Sequence, residues 1–116
     1  MLQLNKMECI VCKKTISCKL SIHTEIEDRP ISVVYQWWSC DSCSEKYFGI
    51  YEENSVNLFA DSYEHIGYQA DKQNWERSFK SASKCPKPRN VKCLCEVHQS
   101  MPPSEFCGTQ AWYSCS

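Results

Sequence analysis

The sequence predicts a small α+β fold: an antiparallel sheet of four or five strands, one helix, and a C-terminal segment rich in cysteine and histidine. Three observations lead to this prediction. Apolar residues recur with a period of two through much of the first half of the chain, which is typical of half-buried strands. The period becomes helical after residue 70. Ten cysteines stand among 116 residues, most of them in closely spaced groups.

The strands come first along the chain. They are predicted at residues 15–26, 31–39, 46–52, 56–60 and 63–68, the last of which is ambiguous. Turns are predicted at 27–30 and 53–54, where Asp, Pro and Asn occur. The apolar face of the first strand consists of Ile16, Cys18, Leu20, Ile22 and Ile26, so Cys18 is expected in the core. Trp37 and Trp38 point to opposite faces of the second strand, and one of them is expected to stay outside the core.

The helix follows the last strand. Asp71 is a suitable N-cap because its carboxylate can accept hydrogen bonds from the N–H groups of the first turn. Trp75, Phe79 and Ala82 then share one helical face. Pro86 prevents the helix from continuing much further. The tail after residue 98 shows no clear period and no element is predicted there.

Two Cys-x2-Cys pairs flank the first two predicted strands. They are Cys9 with Cys12 and Cys40 with Cys43. Each pair can hold one ion from a tight turn, and two pairs complete a tetrahedron of four sulfurs. The predicted hairpin brings the pairs together, so the sequence predicts a structural zinc site. The alternative is a redox Cys-x2-Cys, but that motif occurs singly and opens a helix.

This region resembles the zinc-ribbon family, a β-hairpin scaffold with a four-cysteine metal site. The resemblance covers residues 8 to about 52 and depends on the stretches CIVC and CDSC and the strands around them. It implies a scaffold and a zinc ion with Cys9, Cys12, Cys40 and Cys43 as ligands. It implies no particular activity, because ribbons are functionally diverse.

A second ligand set lies in the stretch CPKPRNVKCLCEVH. Cys85, Cys93, Cys95 and His98 offer four N or S ligands within fourteen residues, and two prolines restrict the backbone before any ion binds. We expect a second structural zinc ion here. Cys107 competes with His98 as the fourth ligand, and a disulfide-linked loop is the alternative for the whole stretch. The segment resembles the C-terminal ends of small uncharacterised bacterial proteins, in which a helix leads into a Cys/His-rich knuckle.

The remaining cysteines and histidines have no ligand-spaced neighbours. Cys115 is expected to be a free thiol and His23 to lie on the strand surface. His65 is expected at the surface or as a hydrogen-bonded core residue. We expect residues 1–70 to form the ribbon-like sheet and residues 71–116 the helix, zinc knuckle and tail, within one compact unit.

The cysteines also bear on the cellular compartment. The first twelve residues, MLQLNKMECIVC, contain no apolar run that follows a basic start, so no secretory signal is predicted. We therefore expect a cytoplasmic protein whose reduced thiols bind metal. The formal net charge is −1. Two zinc sites would add −2 and −1, giving about −4, which does not favour general binding to nucleic acid.

No catalytic pattern accompanies these ligands. A catalytic zinc keeps an open position for water, whereas both predicted sites have four N or S ligands. The sequence contains no HExxH, no deaminase-type HxE with PCxxC and no Gly-rich phosphate loop. We expect a protein that is not an enzyme.

Charge is unevenly distributed along the chain. Residues 77–92 carry only basic charges, namely Arg77, Lys80, Lys84, Lys87, Arg89 and Lys92, whereas residues 41–64 are mostly acidic. We predict a protein-interaction module, such as a small regulator, inhibitor or immunity-type partner. Lys80, Lys84, Lys87, Arg89 and Lys92 are the candidate docking residues, and Trp37, Trp38, Tyr47 and Trp112 are candidate aromatic anchors. The alternative is a nucleic-acid-binding ribbon protein that uses residues 77–92.

Overall fold

The computed structural model describes residues 7–26, 31–54 and 62–115. The elements are β1 (Ser17–Ile26), β2 (Ile31–Ser39), β3 (Lys46–Asn54), β4 (Ser62–Gln69), α1 (Lys72–Ala82), α2 (Glu96–Gln99) and β5 (Thr109–Cys115). The strands form one antiparallel sheet in the order β1-β2-β3-β4-β5. The predicted small α+β fold is confirmed.

Several strand predictions change in detail. The predicted strand at 56–60 and the turn at 27–30 lie outside the described residues, and the ambiguous strand at 63–68 is β4. The turn predicted at 53–54 is wrong, because β3 continues through Asn54, which pairs with Ile31 on one side and Ser62 on the other. Strand β5 and the short helix α2 were not predicted.

The sheet has two faces, and both are covered. Trp37 lies opposite Phe48 on the face that α1 covers, called here the helix face. Trp38 lies opposite Tyr47 on the other side, called here the Trp38 face. Both tryptophans are fully buried, so the expectation that one would stay outside the core is wrong. The reason is that the N-terminal cysteine loop and β5 cover the Trp38 face.

A bulge in β1 changes which side chains enter the core. Cys18 pairs with Trp38 and Leu20 pairs with Trp37, which leaves Lys19 as an extra residue. Because of this extra residue, the side chains of Cys18 and Leu20, which are two positions apart, point to opposite faces of the sheet. Leu20 and Ile22 pack on the helix face, whereas Cys18 is exposed. The expectation of Cys18 in the core is wrong for this reason.

Helix α1 forms as predicted and is fixed to the sheet by hydrogen bonds. The Asp71 carboxylate accepts from the Asn74 N–H at 3.0 Å, as an N-cap should. The Trp75 indole N–H donates to the Tyr47 carbonyl at 3.0 Å, and the Trp37 indole N–H donates to the Ser78 hydroxyl at 2.9 Å. The helix therefore holds β2 and β3 through buried polar contacts as well as apolar packing.

The two helices are short. Within the part of the chain that the structure describes, neither one combines the length and the apolar composition needed to cross a membrane.

Candidate metal centres

The N-terminal centre is built from two turns of the same design. Cys9 N–H donates to the Lys14 carbonyl and Lys13 N–H donates to the Cys9 carbonyl; the equivalent bonds around Cys40 involve Glu45 and Ser44. Lys13 and Ser44 occupy the same place in the two turns, and both have positive φ, 68° and 67°. The two Cys-x2-Cys motifs thus form turns with the same backbone hydrogen bonds and the same positive φ position, and each turn contributes two sulfurs.

These turns converge at one end of the sheet. The sulfurs of Cys9, Cys12, Cys40 and Cys43, called here the four-cysteine cluster, all lie within 4.8 Å of one another. Cys9 Sγ is 3.5 Å from Cys43 Sγ, and Cys12 Sγ is 3.5 Å from Cys40 Sγ. Four sulfurs around zinc at 2.3 Å are about 3.8 Å apart, so the residues fit a tetrahedral ion. The cluster on this hairpin-type sheet is compatible with a zinc-ribbon-like site.

Tyr47 supports the four-cysteine cluster from the core. Its hydroxyl lies 3.1 Å from Cys9 Sγ and accepts the Ile10 N–H at 3.1 Å. Because the hydroxyl already accepts from Ile10, its own proton is available for the Cys9 sulfur. Tyr47 is fully buried. Such outer hydrogen bonds orient a ligand and tune its basicity.

The C-terminal centre is contained in one short segment. Cys85, Cys93, Cys95 and His98, called here the Cys/His cluster, bring three sulfurs and a ring nitrogen within 4.8 Å of one another. Cys85 Sγ is 3.2 Å from His98 Nδ1, 3.4 Å from Cys95 Sγ and 3.9 Å from Cys93 Sγ. These separations also fit a tetrahedral ion.

Local structure places each member of the Cys/His cluster. Cys85 follows α1 directly, and its N–H donates to the Ala82 carbonyl. Cys95 precedes α2 and its sulfur accepts from the His98 N–H at 3.5 Å, which sets His98 one turn away on the same side. Of the two predicted candidates for the fourth ligand, His98 lies in the cluster, whereas Cys107 is exposed outside it.

His98 also ties the Cys/His cluster to the sheet. Its Nε2 lies 3.0 Å from the His23 carbonyl of β1. A carbonyl only accepts, so Nε2 carries the proton and Nδ1 is free to bind a metal. The His23 N–H in turn donates to the Pro88 carbonyl at 2.7 Å. The segment that carries the cluster therefore covers the outer edge of β1 at His23, in the second half of the strand.

In each cluster the pKa of one thiol is lowered, whereas it is raised for Cys12 and Cys43 in the four-cysteine cluster and for Cys85 in the Cys/His cluster. Burial acts to raise the pKa of Cys9, but hydrogen bonds from the Tyr47 hydroxyl and nearby backbone N–H groups outweigh it and lower the pKa to about 6. Burial also opposes ionisation of Cys95, yet hydrogen bonding, first of all from the His98 backbone N–H, outweighs it and lowers the pKa of Cys95 to about 6. Burial raises the pKa of Cys85 to about 11. Metal binding must displace protons from the weaker acids, so affinity will depend on pH.

All ten cysteines are free thiols in the structure. The disulfide alternative for the C-terminal segment therefore has no support in the geometry. Cys115 is free, as expected, and exposed.

The predicted docking residues lie on the surface. Lys80, Lys84, Lys87, Arg89 and Lys92 are all exposed. Lys92 forms an ion pair with Glu25 of β1. Among the described residues the other four form no ion pair. Of the predicted aromatic anchors, Trp37, Trp38 and Tyr47 are fully buried and cannot serve at an interface, whereas Trp112 is half-buried.

A buried polar network on the Trp38 face was not predicted in this form. The Gln36 side-chain carbonyl accepts from the Trp38 indole N–H at 2.9 Å and lies 2.8 Å from His65 Nε2. His65 is fully buried, and burial lowers its pKa to about 4. Its ring is therefore neutral with the proton on Nε2. Sequence reasoning allowed a hydrogen-bonded core histidine here but named no partner.

Comparison of the chain with protein-family models, with curated proteins and with solved structures finds no match.

Proposed function

We propose that this chain is a non-catalytic, zinc-stabilised protein-interaction module that docks an acidic protein partner. The two clusters are proposed to hold one zinc ion each, since tetrahedral sets of four sulfurs, or of three sulfurs and one nitrogen, favour zinc. Each cluster offers a complete set of four ligands. A complete set leaves no position for a water or substrate, which favours a structural over a catalytic role.

The basic surface supports the choice of partner. Lys80, Lys84, Lys87 and Arg89 are exposed, and among the described residues none has an acidic partner. This is the observation that carries the proposal, because unpaired cations on one segment attract an acidic surface and speed its association. Lys80 lies in α1, whereas Lys87 and Arg89 lie between two ligands of the Cys/His cluster, Cys85 and Cys93. A metal in this cluster would therefore hold that part of the basic segment in place.

The metal content is tested by elemental analysis of protein purified without added metal. We expect close to two zinc ions per chain. One ion would remove the Cys/His cluster from the proposal, and none would overturn the zinc-stabilised module.

The docking surface is tested by charge reversal. Lys84→Glu with Arg89→Glu should weaken binding to a partner isolated from the native host, and association should slow first. Lys13→Glu with Lys14→Glu is the matched control, since both residues are exposed, neither forms an ion pair among the described residues, and the change in charge is the same. Circular dichroism confirms folding. Unchanged binding by a folded double variant would rule this surface out.

Salt separates the proposal from nucleic-acid binding. Single-stranded and duplex oligonucleotides serve as probes in the same assay. Phosphate contacts lose orders of magnitude in equilibrium affinity between low and moderate salt, whereas at an interface with an acidic protein salt acts mainly on the association rate. Oligonucleotide binding that disappears in the Lys84/Arg89 double variant would replace the acidic protein partner with a nucleic acid.

A further inference from the structure

The two edge strands of the sheet, β1 and β5, differ in their hydrogen bonds to the rest of the chain. The outer edge of β1 is covered at His23, because both backbone groups of this residue are bonded to the C-terminal segment. At the other edge, none of the described residues outside the sheet makes a backbone hydrogen bond to β5. An uncovered edge is a template for a further strand.

The pairing pattern shows which groups of β5 point outward. The Ala70 N–H donates to the Lys46 carbonyl at 2.9 Å, so the backbone groups of Ala70, and of every second residue before it in β4, face β3. The residues between them, including His65 and Gly67, face β5, where they pair with Ser114 and Trp112. The N–H and C=O groups of Tyr113 and Cys115 therefore point away from the sheet.

β5 lacks the features that usually block an edge. Its sequence TQAWYSC contains no charged residue and no proline, although Lys and Pro are common protectors. A bulge leaves Ala111 as an extra residue, but residues 112–115 beyond it pair in regular register. Tyr113 is half exposed and Cys115 is exposed.

We propose that β5 is the interface between two copies of this chain, whose β5 strands pair antiparallel across a two-fold axis to extend the sheet. A strand is complementary to itself in this arrangement, since both copies offer the same outward groups. No charge on β5 opposes the approach. Glu64 of β4, an acid that pairs with Cys115, accepts a hydrogen bond from the Tyr113 hydroxyl at 2.8 Å. Its counterpart in the second copy would lie three strand spacings away, about 14 Å, beyond the screening length of about 8 Å.

Sedimentation of the zinc-loaded protein over a concentration series tests the interface, with a reductant present so that Cys115 forms no disulfide. We expect reversible dimers with a Kd in the micromolar range. Tyr113→Pro removes an outward N–H from each copy, and proline is tolerated at such edge positions. Tyr113→Lys removes the Tyr113–Glu64 hydrogen bond within the monomer and places one cation from each copy in the otherwise uncharged β5 pair of the dimer. Each variant should raise the Kd at least about tenfold.

Ile26→Lys is the matched control, because Ile26 is also an exposed hydrophobic residue of an edge strand, 43% exposed, but lies in β1 at the opposite edge of the sheet and outside both clusters. It should dimerise like the unmodified chain. Amide exchange of the unmodified protein supplies a second measurement: exchange at Tyr113 and Cys115 should slow as concentration rises.

Two results would overturn the proposal. One is a protein that stays monomeric at every concentration, which would leave the edge for an extended segment of another protein. The other is a dimer that persists unchanged in both Tyr113 variants, which would place the interface elsewhere.

Discussion

The four-cysteine cluster joins parts of the chain that are far apart, whereas the Cys/His cluster is built within one short segment. Cys9 and Cys43 are 34 residues apart, and Cys9 and Cys40 are fully buried in the core of the Trp38 face. Cys85 and His98 are 13 residues apart and pack against the helix face. A metal in the four-cysteine cluster would therefore link the turn before β1 to the turn between β2 and β3. A metal in the Cys/His cluster would order a segment that is attached to the edge of the sheet.

The difference predicts unequal effects when one ligand is removed from each cluster. Cys40→Ser should cause the largest loss of folding stability, because it removes a buried ligand from the cluster that joins the two turns. Structural zinc contributes on the order of 10 kcal/mol to folding in small modules. We expect the N-terminal half to unfold, with amide protection lost throughout β1, β2 and β3 in hydrogen exchange.

Cys18→Ser is the control for that variant, since Cys18 is exposed and belongs to neither cluster. It should keep the protection of the unmodified chain. A Cys40→Ser protein that retained protected β1–β3 amides would show that apolar packing alone supports the sheet.

Cys93→Ser should have a smaller and more local effect. The segment from Cys85 to His98 should loosen, and the His23 amide should exchange faster because Pro88 no longer accepts its hydrogen. Cys107→Ser, an exposed thiol outside the cluster, should change neither. If Cys93→Ser and Cys40→Ser expose the same amides, the two clusters belong to one cooperative unit, and the predicted division near residue 70 has no energetic meaning.

Tyr47→Phe tests whether outer hydrogen bonds distinguish the clusters. The variant keeps the ring in the core and removes the hydroxyl beside Cys9. Loss of such a contact commonly weakens metal binding by about 10–100-fold. Competition with a chelator measures the affinity, and spectra of the cobalt-substituted protein distinguish the site with four sulfurs from the site with three sulfurs and one nitrogen. We expect weaker metal binding at the four-cysteine cluster only. Equal weakening at both clusters would indicate a general loss of stability.

The smallest effect concerns the buried His65, which lies outside both clusters. Its folded pKa of about 4 lies below the usual value of 6.5, so the unfolded chain takes up a proton that the folded chain does not. Neutral His65 therefore contributes stability above about pH 6.5, and this contribution is lost as pH falls towards 4.

We expect imidazole NMR signals of a neutral Nε2–H ring at pH 5.5 in the zinc-loaded protein. The free-energy gap between the unmodified chain and His65→Gln should narrow as pH falls from 7 to 5. A protonated ring at pH 5.5 would contradict the burial argument.

Local chemistry made much of this molecule predictable. The ligand pairs carry their own turn geometry, and the Asp71 cap and the face of Trp75 and Ala82 follow from helix periodicity. The cluster residues are brought together as their spacing indicated, because the hairpin between the pairs is itself encoded by a period of two.

What escaped prediction depends on contacts between distant segments. The bulge at Lys19 moved Cys18 to the surface, and the one at Ala111 broke the alternation that would have revealed β5. Burial of both Trp37 and Trp38 required knowing that separate segments cover the two faces. The contact of Tyr47 with Cys9 has no sequence signal beyond the presence of a tyrosine in β3.

The hydrogen bonds from Pro88 and His98 to His23 have a consequence for assembly. With the Cys/His cluster in place, the sheet has one open edge among the described residues, and pairing through it ends at two chains. A chain that has lost the order of this cluster would be open at both edges. Such a chain could add neighbours on either side without closure, as growing filaments do. Scarcity of metal would then change the assembly of this chain from dimers to filaments of undefined length.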